Sequence, residues 1–190
     1  MDGLGASVRP YRLEQVHATI IGLERTPSSK LAGVVEYLRN DFPSFTVQIG
    51  GFREGATYDF TSRGLHPFAR SFSVQGNTAV AMGWPPANAL DDVRRTLHDR
   101  LGASHRYYQS PEDVDNDFYF VLGRFDPGQA DPDGVRRVAG ELRSFLAHGA
   151  TLVPVSRETL RVVAYEDPEL PWGACRAFRV GDVSVRDLAV

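Results

Sequence analysis

The stretch Gln15-Val16-His17-Ala18-Thr19-Ile20-Ile21-Gly22-Leu23-Glu24 is rich in β-branched residues, the composition of a strand. Side chains alternate along a strand, so His17 and Thr19 share one face while Val16, Ala18 and Ile20 share the other. Imidazole titrates near neutrality and both gives and takes a proton. A hydroxyl two residues on can donate a hydrogen bond to a phosphate oxygen. The pair is half of an acid–base phosphodiester site, and by itself it more often is a hydrogen-bonded sheet histidine.

Outward from that stretch, residues 1–14 are polar and Gly-containing and read as a loose arm. Downstream, Ser28 and Ser29 are N-cap candidates for a helix over Lys30 to Asn40, with Leu31, Val34, Val35 and Leu38 on one face. A strand is expected at Phe45 to Phe52, followed by a long excursion over 53–69 with the reading of a lid or extra hairpin. Gly76-Asn77 is a two-residue turn between strands at Arg70 to Gln75 and Thr78 to Trp84. Asn88 is the N-cap candidate of a helix to Leu101 with Leu90, Val93, Leu97 and Leu101 as its stripe. Asp117 to Phe125 reads as a strand, and Asp133 to His148 as a helix. Strand signals return at Thr151 to Val155 and Thr159 to Tyr165, and CRAFRVGDVSV supplies a last pair.

Strand, helix and strand thus occur at 15–52 and again at 117–166, a repeat of element order without sequence identity. The expected fold is one α+β domain over 1–190: two lobes with antiparallel sheets, helices outside, and a central cleft.

Composition narrows the class of protein. Hydrophobic residues make up 42% and charged residues 24%, ordinary globular usage with enough apolar material for a core. A formal charge of −3 gives no global field toward nucleic acid or membrane. The single cysteine, Cys175, excludes an intramolecular disulfide and a thiolate metal cluster. No leader pattern opens the sequence and no apolar run approaches ~20 residues, so a cytoplasmic location is expected. The five histidines lack metal-ligand spacing and no glycine-rich phosphate loop is present, so neither metal nor cofactor is expected.

A His-x-Thr strand followed by helix, strand, hairpin, helix and a second repeat resembles the two-histidine (2H) phosphoesterase superfamily, which includes 2′-5′ RNA ligase-like proteins and cyclic phosphodiesterases. The resemblance implies a bilobal fold in which each half gives one His-x-Thr or His-x-Ser to a shared cleft. One histidine is then general base, the other general acid, and the hydroxyls hold phosphate. On that likeness His17 is the acid–base residue, Thr19 a phosphate donor, and the ligand a nucleotide, a 2′,3′-cyclic phosphate or a 2′-5′ linked RNA end.

The second motif falls on Tyr119-Phe120-Val121-Leu122-Gly123-Arg124, where the family often reads His-Val-Thr-Leu-Gly-Arg. The Leu-Gly-Arg tail agrees, but Tyr119 replaces the histidine and Val121 the hydroxyl residue. An unperturbed tyrosine titrates near ~10, and losing a general acid or base removes roughly 10²–10⁴-fold in rate. A non-catalytic ligand-binding or protein-interaction module on a degenerate phosphoesterase fold is the alternative.

Arg63, His66 and Arg70 in the excursion, with Arg124, are substrate-binding candidates, since guanidinium groups grip phosphate; each also fits a solvated surface. A third reading is an enzyme of different chemistry using His66 or the carboxylates Asp115 and Asp117, and His98, His105 and His148 read as structural or incidental.

Overall fold

A computed structural model describes residues 8–23, 26–50, 72–75, 78–101, 116, 118–125, 133, 141, 148–166, 173–184 and 186. The architecture is mixed α+β, with an antiparallel sheet and, among the elements fully within the described residues, two α-helices. In chain order the elements are β1 (Val8–Pro10), a 3-10 turn (Leu13–Gln15), α1 (Ser28–Asn40), β2 (Phe45–Gly50), β3 (Phe72–Gln75) and β4 (Thr78–Trp84). There follow α2 (Ala89–Leu101), β5 (Phe118–Phe125), β6 (Ala150–Val155), β7 (Arg161–Ala164) and β8 (Arg176–Arg179). Asp133 and Glu141, inside the expected third helix, are both helical. No helix of the described residues is long and apolar enough to cross a membrane.

The chain divides into two compact units, each assembled from three separated segments. The first takes Met1–Ala18, Gln48–Trp84 and Asp117–Val153; the second takes Thr19–Val47, Pro85–Asn116 and Pro154–Val190.

The main sheet runs β1-β5-β4-β2-β6, with β3 also paired to β4. Its register explains how β2 and β3 both fit beside β4. Ile49 of β2 pairs with Gly83, and Phe72 of β3 pairs with Ala81. Since β5 occupies the other edge of β4 from Thr78 to Gly83, β2 and β3 lie end to end along one line. β2 ends at Gly50 and β3 begins at Phe72, in adjacent ladder positions. Gly50 has φ 72°, a left-handed conformation that a residue with a Cβ adopts only under strain. Residues 53–69, expected as an excursion, and the Gly76-Asn77 turn lie outside the described residues, although Gln75 pairs with Thr78 as that turn requires.

In the second unit the helices bury the faces their spacing specifies. Leu31, Val34, Val35 and Leu38 of α1 are buried, as are Leu90, Val93, Leu97 and Leu101 of α2. Tyr37 joins them and meets Phe42 edge-on at 6.4 Å, while the Arg100 guanidinium lies 5.0 Å over its ring. Burial pushes the Tyr37 hydroxyl above its ordinary pKa. The β7–β8 ribbon pairs Arg161 with Arg179 and Val162 with Phe178. Val180 and Val183, just past β8, are buried, and the Arg39 side chain donates to both of their carbonyls.

Helix termini depart from the local capping that the sequence predicts. The residue before α1 is Pro27, without a side-chain cap, so neither Ser28 nor Ser29 plays that part. At α2 the first-turn N–H groups of Leu90 and Asp91 donate to Asn116 Oδ1 at 3.0 and 3.2 Å. Asn116 therefore supplies, from far along the chain, the oxygen expected of Asn88. Its amide also donates to the Ala87 carbonyl, steadying a residue at φ 45°.

Two stability predictions follow from this packing. A Cβ built on Gly123 would stand 2.6 Å from the Arg9 carbonyl oxygen and 2.9 Å from Pro10 Cα. Backbone cannot yield as a flexible side chain does, so Gly123→Ala should lose about 1–3 kcal/mol in urea unfolding. Asn116→Ala removes two helix-capping bonds and should lose about 1–2 kcal/mol, with Asn116→Asp recovering only part of it, because its carboxylate keeps the two caps but loses the bond donated to the Ala87 carbonyl.

Candidate functional site

The residues around His17 are arranged by β5. β1 runs antiparallel to it, with Val8 opposite Phe125, Arg9 opposite Arg124 and Pro10 opposite Gly123. Tyr11 N–H then donates to the Leu122 carbonyl at 2.8 Å. At this point the chain leaves the ladder through the Leu13–Gln15 turn and returns at His17, which forms an isolated antiparallel bridge with Val121. Val121 N–H donates to the His17 carbonyl at 3.1 Å. One step along β5, from Leu122 to Val121, thus corresponds to the passage from Tyr11 to His17.

The turn has a chemical consequence. His17 Nδ1 lies 2.7 Å from the Gln15 carbonyl oxygen. A carbonyl only accepts, so Nδ1 carries a proton, and in the neutral ring the lone pair sits on Nε2. The half-buried imidazole is thereby held with one defined nitrogen free to take a proton.

Bridged residues project to the same face of a sheet, so His17 and Val121 share a face, and alternation along β5 adds Tyr119 to it. Phe118 and Phe120 occupy the other face, where their rings meet edge-on at 5.1 Å. Tyr119 is diagonal to His17, a relation that separates backbones by about 7–8 Å and leaves aromatic side chains within reach. His17 and Tyr119 are therefore neighbours on one sheet face rather than partners on facing walls. Val121, directly opposite His17, presents no hydroxyl.

The expected strand over 15–24 is not formed. Only His17 is bridged, and residues 18–23 are irregular. In the second unit the Thr19 and Ile20 carbonyls accept hydrogen bonds from Arg94 Nη2 at 3.2 Å and Nε at 2.8 Å. A buried guanidinium thus satisfies backbone groups that a ladder would otherwise have used. Thr19 is exposed, and its hydroxyl has no partner among the described residues.

Arg124 is half-buried on β5, opposite Arg9 on one side and Thr78 on the other. Val121 and Gly123 flank a register shift in the β4–β5 ladder, which separates Arg124 from the alternation that relates His17 to Tyr119. Arg63, His66 and Arg70 lie outside the described residues, as do His105, Asp115 and Asp117. Gln48 Nε2 donates to the Gly50 carbonyl at 2.9 Å, closing the end of β2. Opposite it, Trp84 has a buried indole N–H with no acceptor among the described residues, sealed from solvent and so closed to a surface ligand. His98 lies 3.7 Å from Asp99 on α2 and His148 is exposed. Among the described residues no group of His, Cys, Asp or Glu is arranged to hold a metal ion.

Sequence reading missed Gln15, which acts through its carbonyl, a group every residue carries. It also missed Arg94, for which a signal existed: the residue falls between Val93 and Leu97 on the apolar stripe of α2, where a charge requires buried partners. Asp91, also buried, is met by Arg95 Nε at 2.6 Å. Arg94→Met should therefore lose about 1.5–3 kcal/mol, and amide exchange at Ile20 and Ile21 should accelerate by more than at the amides of α2.

No family model, curated protein or solved structure matches this chain.

Proposed function

We propose that the chain is a divergent two-histidine phosphoesterase-like protein that takes a 2′,3′-cyclic nucleotide or a 2′-5′ linked RNA end against the His17 face. The observation that supports this reading is the 2.7 Å approach of His17 Nδ1 to the Gln15 carbonyl oxygen, which leaves Nε2 to serve as the base. In this scheme Nε2 takes a proton from water as its oxygen attacks phosphorus, and the phosphorus–O2′ bond breaks. The departing oxygen takes a proton from the Tyr119 phenol, giving a linear phosphomonoester. The Thr19 hydroxyl holds a phosphate oxygen, and Arg124, with Arg63, His66 and Arg70, neutralises its charge. Two lobes around a central cleft are the architecture this reading calls for.

The second reading is a non-catalytic binding module on the same fold. It is favoured by Val121, which stands opposite His17 where the family places a hydroxyl residue, and by the phenol at 119, which is a poor acid–base group at neutral pH.

The test is hydrolysis of 2′,3′-cyclic nucleotides and 2′-5′ linked dinucleotides by the purified chain. Activity that falls roughly 10²–10⁴-fold in His17→Ala supports the enzyme. Activity untouched by that substitution removes His17 from the mechanism. No turnover, with thermal stabilisation by nucleotide retained in His17→Ala, establishes the binding module instead.

A further inference from the structure

We infer that Gln15 is a positioning residue, which closes the turn that holds His17 with its proton on Nδ1 and its lone pair on Nε2. The inference deepens the proposed function and rests on it for its kinetic consequence alone; the tautomer itself is a property of the free protein.

The turn is closed reciprocally. Gln15 N–H donates to the Arg12 carbonyl at 2.8 Å, and Val16 N–H donates to the Leu13 carbonyl at 3.2 Å. In return the Gln15 side-chain Oε1 accepts from Arg12 N–H at 3.2 Å, the reach-back bond of a capping box. The Gln15 side chain thus ties both ends of a short turn that is otherwise poorly anchored: Leu13 at its tip is 83% exposed, and none of its residues is buried. A 3-10 turn of this length has little stability of its own.

What the turn delivers is a carbonyl aimed at the imidazole. In an extended strand the carbonyl two residues before a histidine points sideways into the ladder, away from that residue's ring. Here the chain folds out between the Leu122 and Val121 ladder positions, and the Gln15 carbonyl turns back onto Nδ1 at 2.7 Å. The bridge to Val121 fixes the His17 backbone, so turn and bridge together determine where Nε2 points. Loosening the turn releases Nδ1 and frees the ring to exchange tautomers.

The backbone geometry offers an independent way to cut the same bond. Arg12 has φ −63° and ψ 152°, the conformation that proline imposes. Arg12→Pro deletes the N–H that Gln15 Oε1 accepts from and leaves the path of the chain unchanged. Gln15→Ala deletes the acceptor, and Gln15→Glu keeps an oxygen in its place.

The experiment is long-range proton–nitrogen correlation NMR on the ¹⁵N-labelled full chain, with the His17 ring assigned by its absence from His17→Gln. The parent chain should show His17 protonated at Nδ1 when neutral. Gln15→Ala and Arg12→Pro should each shift the tautomer ratio about fivefold toward Nε2–H. The double variant should shift it no further, and Gln15→Glu should restore the parent ratio. A parent ring protonated mainly at Nε2, or a ratio unmoved in Gln15→Ala, overturns the inference.

A kinetic arm separates this result from the function it serves. If the chain hydrolyses cyclic nucleotides, kcat in Gln15→Ala falls about fivefold with KM unchanged, and Gln15→Glu recovers it. The predicted tautomer shifts in a chain that hydrolyses nothing leave the inference standing and remove the enzymatic reading. Hydrolysis that depends on His17 but ignores Gln15 does the reverse.

Discussion

The arrangement around His17 depends on how closely the N-terminal segment approaches the outer edge of β5. Pro10 lies opposite Gly123 and Arg9 opposite Arg124, with the Arg9 carbonyl so near that Gly123 has no room for a side chain. This approach sets the ladder position from which the chain departs at Tyr11 and to which His17 returns. The glycine of the Leu-Gly-Arg sequence is thus explained by backbone packing. It is a condition for placing His17 and does not by itself mark phosphate chemistry.

Once that edge is set, a turn supplies a carbonyl to the His17 ring. One ladder hydrogen bond from Val121 fixes the residue itself. A regular strand would give the same backbone groups equivalent partners but would leave Nδ1 without the Gln15 carbonyl. The irregular course therefore has a chemical result, a single defined tautomer, that the expected regular strand would not have produced.

The elements that sequence reading located well are those held by side-chain period. The apolar positions of α1 and α2 recur at helical spacing, and the same residues are buried. The hairpin around Gly76-Asn77 shows the expected pairing of its strands, and β7 finds its partner in the C-terminal residues foreseen as a strand pair. Gln15 to Glu24 was misread because β-branched composition reports a preference for extended backbone and is silent about partners. Residues 18–23 are extended in composition but have no ladder to join. The caps failed for a related reason: Ser28, Ser29 and Asn88 are good local acceptors, yet α2 takes its acceptor from Asn116, which approaches only after the chain has folded back.

The sequence alone therefore determined the mixed α+β class, the two helices with their buried faces, and the presence of an acid–base residue at position 17 beside a hydroxyl residue. These follow from periodicity and residue chemistry, which act over a few neighbouring positions. Tertiary structure decided that His17 stands opposite Val121 and diagonal to Tyr119, that its Nδ1 meets a carbonyl, and that a distant asparagine caps α2. Such outcomes depend on which backbone groups from separated segments meet at hydrogen-bonding distance. That is a property of chain path and register, and no local pattern encodes it.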